Sequence, residues 1–208
     1  FAALFLTPIY TRLLSKADYG IMDIFNRWNA FAISILPLGL FTAYLRFYPD
    51  AKKESPAAVS LLNGTILMTL FAASIVYGIF MTIILPWFYA GFVEASFPGI
   101  DRIYWMSIGI VFGQLYFQYH LQSFRVNFQK YSYALLSLVN FLILTALAFY
   151  FVYFKALNII GFFYASLISV IISSFIATIM NWHMMSFTFQ LSEAKKLLRY
   201  SIHFLSVF

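Results

Sequence analysis

The chain contains 208 residues, of which 63% are hydrophobic, 22% are aromatic and only 10% are charged. Soluble domains carry about 25% charged residues, so this composition excludes a soluble domain and indicates a membrane protein. The formal net charge of +6 is spread over short loops, which fits contact with anionic lipid and argues against a nucleic-acid partner. There is no cysteine, which excludes disulfides, thiol catalysis and thiolate metal sites within the chain.

Clusters of charged residues divide the chain into apolar stretches long enough to cross a bilayer. A helix needs about 20 apolar residues for this, and it satisfies its backbone hydrogen bonds internally. Five complete spans are predicted on this criterion: Ile21 to Phe47, Ala57 to Phe88, Ile103 to Val126, Tyr131 to Phe154 and Ile159 to Trp182. We therefore predict an all-α, polytopic transmembrane helix bundle.

Both ends of the chain are apolar as well. The chain opens at Phe1 without a methionine, and a new apolar run begins after Arg199 and stops at Phe208. We interpret these as the end of a first helix and the start of a seventh, both truncated, so the chain would hold about six membrane helices plus the start of a seventh. No linker or low-complexity tract divides residues 1–208, and we expect a single transmembrane lobe.

The distribution of basic residues predicts the orientation, because cytoplasmic loops are enriched in Lys and Arg. The loops after the second, fourth and sixth helices carry Arg46, Lys52, Lys53, Arg125, Lys130, Lys195, Lys196 and Arg199. The loops after the first, third and fifth helices carry Arg12, Lys16, Arg27, Arg102 and Lys155. The excess in the first set predicts that those loops are cytoplasmic.

The span from Ile103 to Val126 carries a polar stripe. At about 100° per residue, its main polar residues fall within an arc of about 80°, and they are Ser107, Gln114, Gln118, Gln122, Arg125 and Gln129. Such a stripe is costly against acyl chains, so it should face protein or a water-filled cavity. The glutamines would either hydrogen-bond one helix to another or line a cavity and bind the hydroxyls of a sugar-bearing solute. Because Arg125 extends the same face, we favour the cavity.

A second polar patch lies at the start of the span from Ile21 to Phe47. Asp23 and Arg27 are four residues apart, which allows an ion pair on one helix face. The pair would either pin the helix at the membrane interface or serve transport. In transport, Arg27 would contact phosphate, since guanidinium binds phosphate oxygens bidentately and keeps its charge. Asp23 would then be its counter-ion or would titrate during coupling.

The acidic residues do not form a catalytic pattern. The seven of them are mostly single loop residues, and no D-x-D, H-E-x-x-H or P-loop motif is present. Proton transfer needs a group of suitable pKa within hydrogen-bond reach of the reacting atoms. We therefore expect no enzyme activity, no catalytic residue, no metal ion and no cofactor.

Three segments resemble a known family. Residues 8–20, PIYTRLLSKADYG, look like the end of the first helix and the following loop of bacterial polysaccharide flippases, which translocate lipid-linked oligosaccharides of O-antigen and capsule. Residues 121–125, LQSFR, are similar to the end of that family's fourth helix, and residues 197–201, LLRYS, to the start of its seventh. The family often has a proline soon after this last segment, where the present chain has Ile202.

The resemblance implies the first lobe of a two-lobed exporter of the multidrug/oligosaccharidyl-lipid/polysaccharide superfamily. The substrate would be undecaprenyl-diphosphate-linked oligosaccharide, moved across the bacterial cytoplasmic membrane by alternating access. Its partners would be that substrate, membrane lipids and a second lobe of the same polypeptide. The expected diphosphate contacts are Arg12, Arg27 and Arg125, and the expected glycan contacts are Gln114, Gln118 and Gln122.

Three other functions stay open. A drug exporter of the same superfamily would share the helices, but would more often bind cations through a buried acid. An integral membrane glycosyl or acyl transferase would form product without a gradient. A purely structural membrane subunit would tolerate apolar residues in place of the glutamines between Ile103 and Val126.

Overall fold

The computed structural model describes residues 14–92 and 99–205. The helices are α1 (Lys16–Ile35), α2 (Leu40–Glu54), α3 (Pro56–Phe92), α4 (Ile100–Val126), α5 (Lys130–Phe149), α6 (Asn158–Met180) and α7 (Leu191–Leu205). A π-helical turn (Tyr150–Phe154) extends α5, and a short 3-10 turn (Trp182–Met184) follows α6. The all-α, polytopic bundle predicted from the sequence is confirmed.

The surface of the bundle is suited to lipid. Among the described residues, four helical segments are long and apolar enough to cross a membrane, and they are Lys16–Glu54, Pro56–Ile84, Lys130–Phe154 and Asn158–Met180. Large apolar side chains remain on their outer faces, such as Ile83 and Phe175, which are 65% and 67% exposed. Because a soluble protein rarely exposes contiguous apolar surface of this kind, the protein is a membrane protein.

The first complete predicted span is divided into two helices. The sequence predicts one helix from Ile21 to Phe47, whereas α1 ends at Ile35 and α2 begins at Leu40. Pro37 has no backbone N–H to donate, and Leu38 and Gly39 have left-handed φ angles of 47° and 75°. A left-handed residue cannot continue a right-handed helix, so the break follows from these residues.

Helix α4 occupies the centre of the bundle. It contributes buried residues to three apolar clusters. Tyr104 packs in a cluster with α1, α3 and α6, and Tyr119 packs in a second cluster with α2, α3 and α7. Phe117 packs in a third cluster with α5 and α6. The sequence predicts a membrane span from Ile103 to Val126, but α4 is not among the four described segments that are long and apolar enough to cross a membrane. More than half of its residues are buried by neighbouring helices. Few of its side chains therefore contact lipid, and few of them need to be apolar for that reason.

The loops alternate between two ends of the bundle. Helix α3 runs antiparallel to α4, because Tyr104 donates to the carbonyl of Met81 near one end and Tyr119 to that of Asn63 near the other. Helix α6 runs parallel to α4, since Gly109 lies beside Leu167 and a Cβ on Gly99 would contact Ile160. The α2–α3, α4–α5 and α6–α7 connections therefore share one end. We call it the basic end, because these loops carry the larger set of Lys and Arg.

The last helix starts earlier than its hydropathy suggests. An apolar run is predicted only after Arg199, but α7 is helical from Leu191. Its first turns are amphipathic, so a measure of apolar length does not detect them. The buried face packs on α2, where the rings of Phe47 and Tyr200 lie 5.3 Å apart.

Candidate functional site

A polar cavity of about 250 Å³ lies between α1, α4, α5 and α6. We call it the amide cavity, because most of its polar lining consists of carboxamide side chains. The polar residues that line it are Asn26, Asn29, Gln114, Asn140, Ser166 and Ser169. None of the described lining residues is charged, so the cavity suits a neutral polar group or water.

Two hydrogen bonds between helices hold the walls of this cavity. Ser107 of α4 donates to the side-chain oxygen of Asn29 of α1 at 2.6 Å. Ser169 of α6 donates to the side-chain oxygen of Asn140 of α5 at 3.1 Å. The amide nitrogens of Asn29 and Asn140 and the whole amide of Gln114 make no hydrogen bond to any other described residue. These groups are therefore available to a solute.

The predicted glutamine stripe is divided by the structure. Gln114 lines the amide cavity, whereas Gln118 and Gln122 do not line it. All three are half-buried, and the side-chain oxygen of Gln122 is buried without a hydrogen-bond partner among the described residues. Gln118 and Gln122 thus continue the polar face from the cavity toward the basic end, where Arg125 is exposed.

Asp23 and Arg27 form an ion pair on the outer face of α1. The Arg27 Nε lies 2.7 Å from the Asp23 carboxylate, and the Arg27 side chain is 78% exposed. The pair lies one helical turn from Asn26 and Ala30, which line the amide cavity. Within residues 14–92 and 99–205, no three His, Asp or Glu side chains lie close enough together to hold a metal ion.

The predicted phosphate contacts are widely spaced. Arg27 lies near the level of Ser107, because Asn29, two residues further along α1, accepts a hydrogen bond from Ser107. Arg125 lies 18 residues further along α4, which at 1.5 Å per residue is roughly 27 Å. One diphosphate therefore cannot contact both guanidinium groups at once. Arg12, the third predicted contact, lies outside the described residues.

Comparison with known proteins identifies the family. The model of a family described as "Polysaccharide biosynthesis protein" matches residues 1–207. The chain belongs to this polysaccharide biosynthesis protein family. Neither a curated protein nor a solved structure gives a significant match.

Membership in the polysaccharide biosynthesis protein family confirms the resemblance noted in the sequence. Together with the membrane-spanning helices, it gives this chain a role in polysaccharide synthesis or export at a membrane. The site of that role must be sought in polar groups within the bundle, because the lipid-facing surface is apolar.

Three site residues of this polysaccharide biosynthesis protein are missed when the sequence is considered alone. Asn26, Asn29 and Asn140 line the amide cavity together with Gln114. The available signal was an asparagine within an otherwise apolar span, which is costly unless the side chain has a partner or faces a cavity. The stripe on α4 was visible because several polar residues repeat at helical spacing, whereas Asn140 is a single amide on α5 and Asn26 and Asn29 form only one pair on α1.

Proposed function

We propose that this protein translocates undecaprenyl-diphosphate-linked oligosaccharide across the bacterial cytoplasmic membrane during polysaccharide biosynthesis. The described helices would form one lobe, and a second lobe of the same polypeptide would complete a central cavity. Alternating access would carry the head group across, while the polyprenyl tail stays in the bilayer. The family supports a role in polysaccharide synthesis or export, and the proposal assigns the translocation step to this chain.

The observation that carries the proposal is the amide cavity. Asn26, Gln114 and Asn140 supply carboxamides, each of which both donates and accepts hydrogen bonds. Sugar hydroxyls also do both, so a carboxamide pairs with them in either orientation. No described lining residue is charged, which favours a glycan over the cationic drugs that a buried acid would bind. The substrate would cross the membrane chemically unchanged.

The arginines would act on the diphosphate in sequence. Their separation of roughly 27 Å along the helix axis exceeds the reach of one diphosphate, so Arg125 would meet the phosphates near the basic end and Arg27 near the other. Arg27 is held by Asp23 at 2.7 Å. A phosphate that binds the Nε edge of Arg27 would displace Asp23, and the released carboxylate would then be free to accept a coupling ion.

The glycan contact is tested with the full-length protein in proteoliposomes. The rate of transfer of fluorescent undecaprenyl-diphosphate oligosaccharide between leaflets is measured for Gln114→Leu and Asn140→Leu. Each variant should be about 2- to 10-fold slower, the effect of one lost hydrogen bond. Gln190→Leu, which removes an exposed amide outside the cavity, should retain the wild-type rate. Equal rates for Gln114→Leu and Gln190→Leu would show that the amide cavity does not contact the substrate.

The phosphate contacts are tested in the same assay. Arg27→Ala and Arg125→Ala should each slow transfer by about 10-fold or more, because a charge-assisted contact is lost. Arg27→Lys should recover part of the rate, since the charge remains but bidentate binding does not. Arg102→Ala removes an exposed arginine elsewhere on α4 and serves as the control. Wild-type transfer by both alanine variants would refute the phosphate role, and a change in the mass of the recovered lipid would favour a transferase.

A further inference from the structure

Residues 185–190 join the turn after α6 to α7 and cross α3; we call them the strap. Ser60 of α3 donates to the hydroxyl of Ser186 at 2.8 Å, and Thr188 donates to the carbonyl of Ser60 at 3.1 Å. A Cβ atom on Gly64 would lie 2.2 Å from the carbonyl oxygen of Thr188. The strap therefore lies directly against the backbone of α3, at a distance that only glycine permits.

A polar pocket of about 340 Å³ lies at the basic end, beside the strap. We call it the interfacial pocket. Its polar lining residues are Tyr48, Lys52, Ser60, Asn63, Asn127 and His183. No described lining residue is acidic, and Lys52 forms no ion pair with another described residue. The hydroxyls of Tyr48 and Ser60 already donate to Asn127 and Ser186, but the side-chain amides of Asn63 and Asn127 each use only one of their two N–H groups. The pocket therefore offers an ammonium group without an ion pair beside two amide N–H donors, which suits a phosphate group.

An apolar slot of about 250 Å³ lies further along α3, between α3, α4 and the strap. Its walls include Leu67, Met68, Phe71, Phe112, Tyr116 and Phe187. Ser74 also lines the slot, but its hydroxyl is bonded to the carbonyl of Leu70 in its own helix at 2.8 Å. The rim is open to the lipid-facing surface, since Phe71 is 51% exposed. The slot therefore suits a hydrocarbon chain.

The two spaces adjoin each other. Met185 of the strap lines both, and its flexible side chain can adapt to a ligand that passes between them. Asn63 of the interfacial pocket and Leu67 of the slot are one helical turn apart, or roughly 6 Å. A cationic polar pocket and an apolar slot at this spacing match the head group and tail of an amphiphile.

We propose that one anionic phospholipid occupies this site, with its phosphate in the interfacial pocket near Lys52 and one acyl chain in the apolar slot. A soluble anion would have no use for the slot, and a lipid without net charge would gain little from an unpaired lysine. The site also lies at the basic end, which is predicted to face the cytoplasm, where membrane leaflets attract Lys and Arg through their anionic lipids.

The head-group contact is tested by native mass spectrometry of the full-length protein in detergent, titrated with phosphatidylglycerol or phosphatidylcholine. The wild-type protein should retain one phosphatidylglycerol in preference to phosphatidylcholine. Lys52→Gln should weaken phosphatidylglycerol retention about 5-fold, as expected for one cation at a lipid surface, and leave phosphatidylcholine unchanged. Lys53→Gln is the matched control, because Lys53 is exposed and does not line the pocket. Equal retention by the two variants would overturn the phosphate contact.

The tail contact is tested by filling the slot. Met68→Trp should weaken retention of both lipids by a similar factor, and the smaller Met68→Phe should give an intermediate loss. Ile75→Trp places the same ring on the lipid-facing surface of α3 and should change neither. If Met68→Trp and Ile75→Trp retain lipid equally, no acyl chain enters the slot. Displacement of phosphatidylglycerol by inorganic phosphate alone, or by equimolar undecaprenyl phosphate, would also overturn the assignment by identifying another ligand.

Discussion

Asn29 and Ser107 join two helices through a buried hydrogen bond of 2.6 Å. Asn29 is 5% exposed and Ser107 1%, so removal of one partner leaves the bonded oxygen of the other largely buried. A buried polar group without a partner costs more free energy than the bond contributes when both partners are present. The pair therefore sets the position of α1 against α4, and with it one wall of the amide cavity.

This pair should show measurable coupling in a double-mutant cycle. Asn29→Ala and Ser107→Ala should each lower the free energy of unfolding by about 1–2 kcal/mol, and the double variant should lose about 0.5–1.5 kcal/mol less than the sum. Unfolding of the full-length protein in detergent and denaturant measures these values. Ser34→Ala is the control, because Ser34 is exposed and bonds only within its own helix. Strict additivity would show that the bond does not stabilise the protein.

Gly113 determines how closely α4 and α6 approach each other. A Cβ atom at this position would lie 2.8 Å from a methyl group of Val170, whereas a Cβ on Gly20 would meet nothing within 4 Å. Valine is stiff about χ1, so it cannot turn away at low cost. A side chain is therefore excluded at Gly113 and tolerated at Gly20.

Gly113→Leu should destabilise the protein by about 1–3 kcal/mol through overpacking. Gly20→Leu, within α1, should be neutral or stabilising by up to about 1 kcal/mol, since leucine is the better helix former. Thermal unfolding of the two variants in the same detergent gives the comparison. A loss at Gly20 as large as that at Gly113 would contradict the close packing of α4 on α6.

The break between α1 and α2 places two helices with different tasks in one membrane-spanning segment. Helix α1 carries Asn26 and Asn29 of the amide cavity, and α2 carries Tyr48 and Lys52 of the interfacial pocket. The left-handed residues Leu38 and Gly39 make the change of direction. Because left-handed backbone is unfavourable for leucine and acceptable for glycine, the two positions should respond to substitution in opposite ways.

Leu38→Gly should therefore raise the free energy of unfolding, by about 1 kcal/mol. Gly39→Ala should lower it by about 1–2 kcal/mol, since the φ angle of 75° is retained and the new Cβ would lie 3.1 Å from Ser201. Both values come from denaturant unfolding of the single variants. Changes of the same sign at the two positions would mean that the break is not held by these backbone angles.

At the scale of the whole molecule, the loops alternate between two ends of the bundle, and the basic residues are distributed unequally between these ends. The sequence assigns eight Lys and Arg residues to the loops of the basic end and five to those of the other end; of these five, Arg27 lies within α1 and Arg12 lies outside the described residues. The orientation predicted from this excess also decides which leaflet supplies lipid to the interfacial pocket and from which side Arg125 would meet a diphosphate.

Single cysteines test the orientation directly, because residues 1–208 contain none; any cysteine elsewhere in the polypeptide is first replaced by serine. Lys53→Cys and Lys195→Cys, both exposed at the basic end, should react with a membrane-impermeant maleimide only after the cells are permeabilised. Lys155→Cys, exposed at the opposite end, should react in intact cells. The reverse pattern would invert the predicted orientation and move the phospholipid site to the outer leaflet.

The sequence alone was enough to identify a helical membrane protein, the approximate limits of its spans, the polar stripe on α4 and the family. These features depend on properties read along a single chain: apolar length, helical spacing and a short loop motif. The break at Leu38 and Gly39 was less visible, because a proline signals a kink but does not reveal the left-handed angles that follow it.

Which polar groups meet was decided only by the tertiary structure. Asn26 and Asn140 are far apart in sequence, yet the packing of α1 and α5 against α4 brings both to the cavity that Gln114 lines. The same packing leaves Gln118 and Gln122 outside that cavity, although their spacing on the helix is equally regular. Helical periodicity determines the face on which a side chain lies, whereas its neighbours depend on contacts between distant segments.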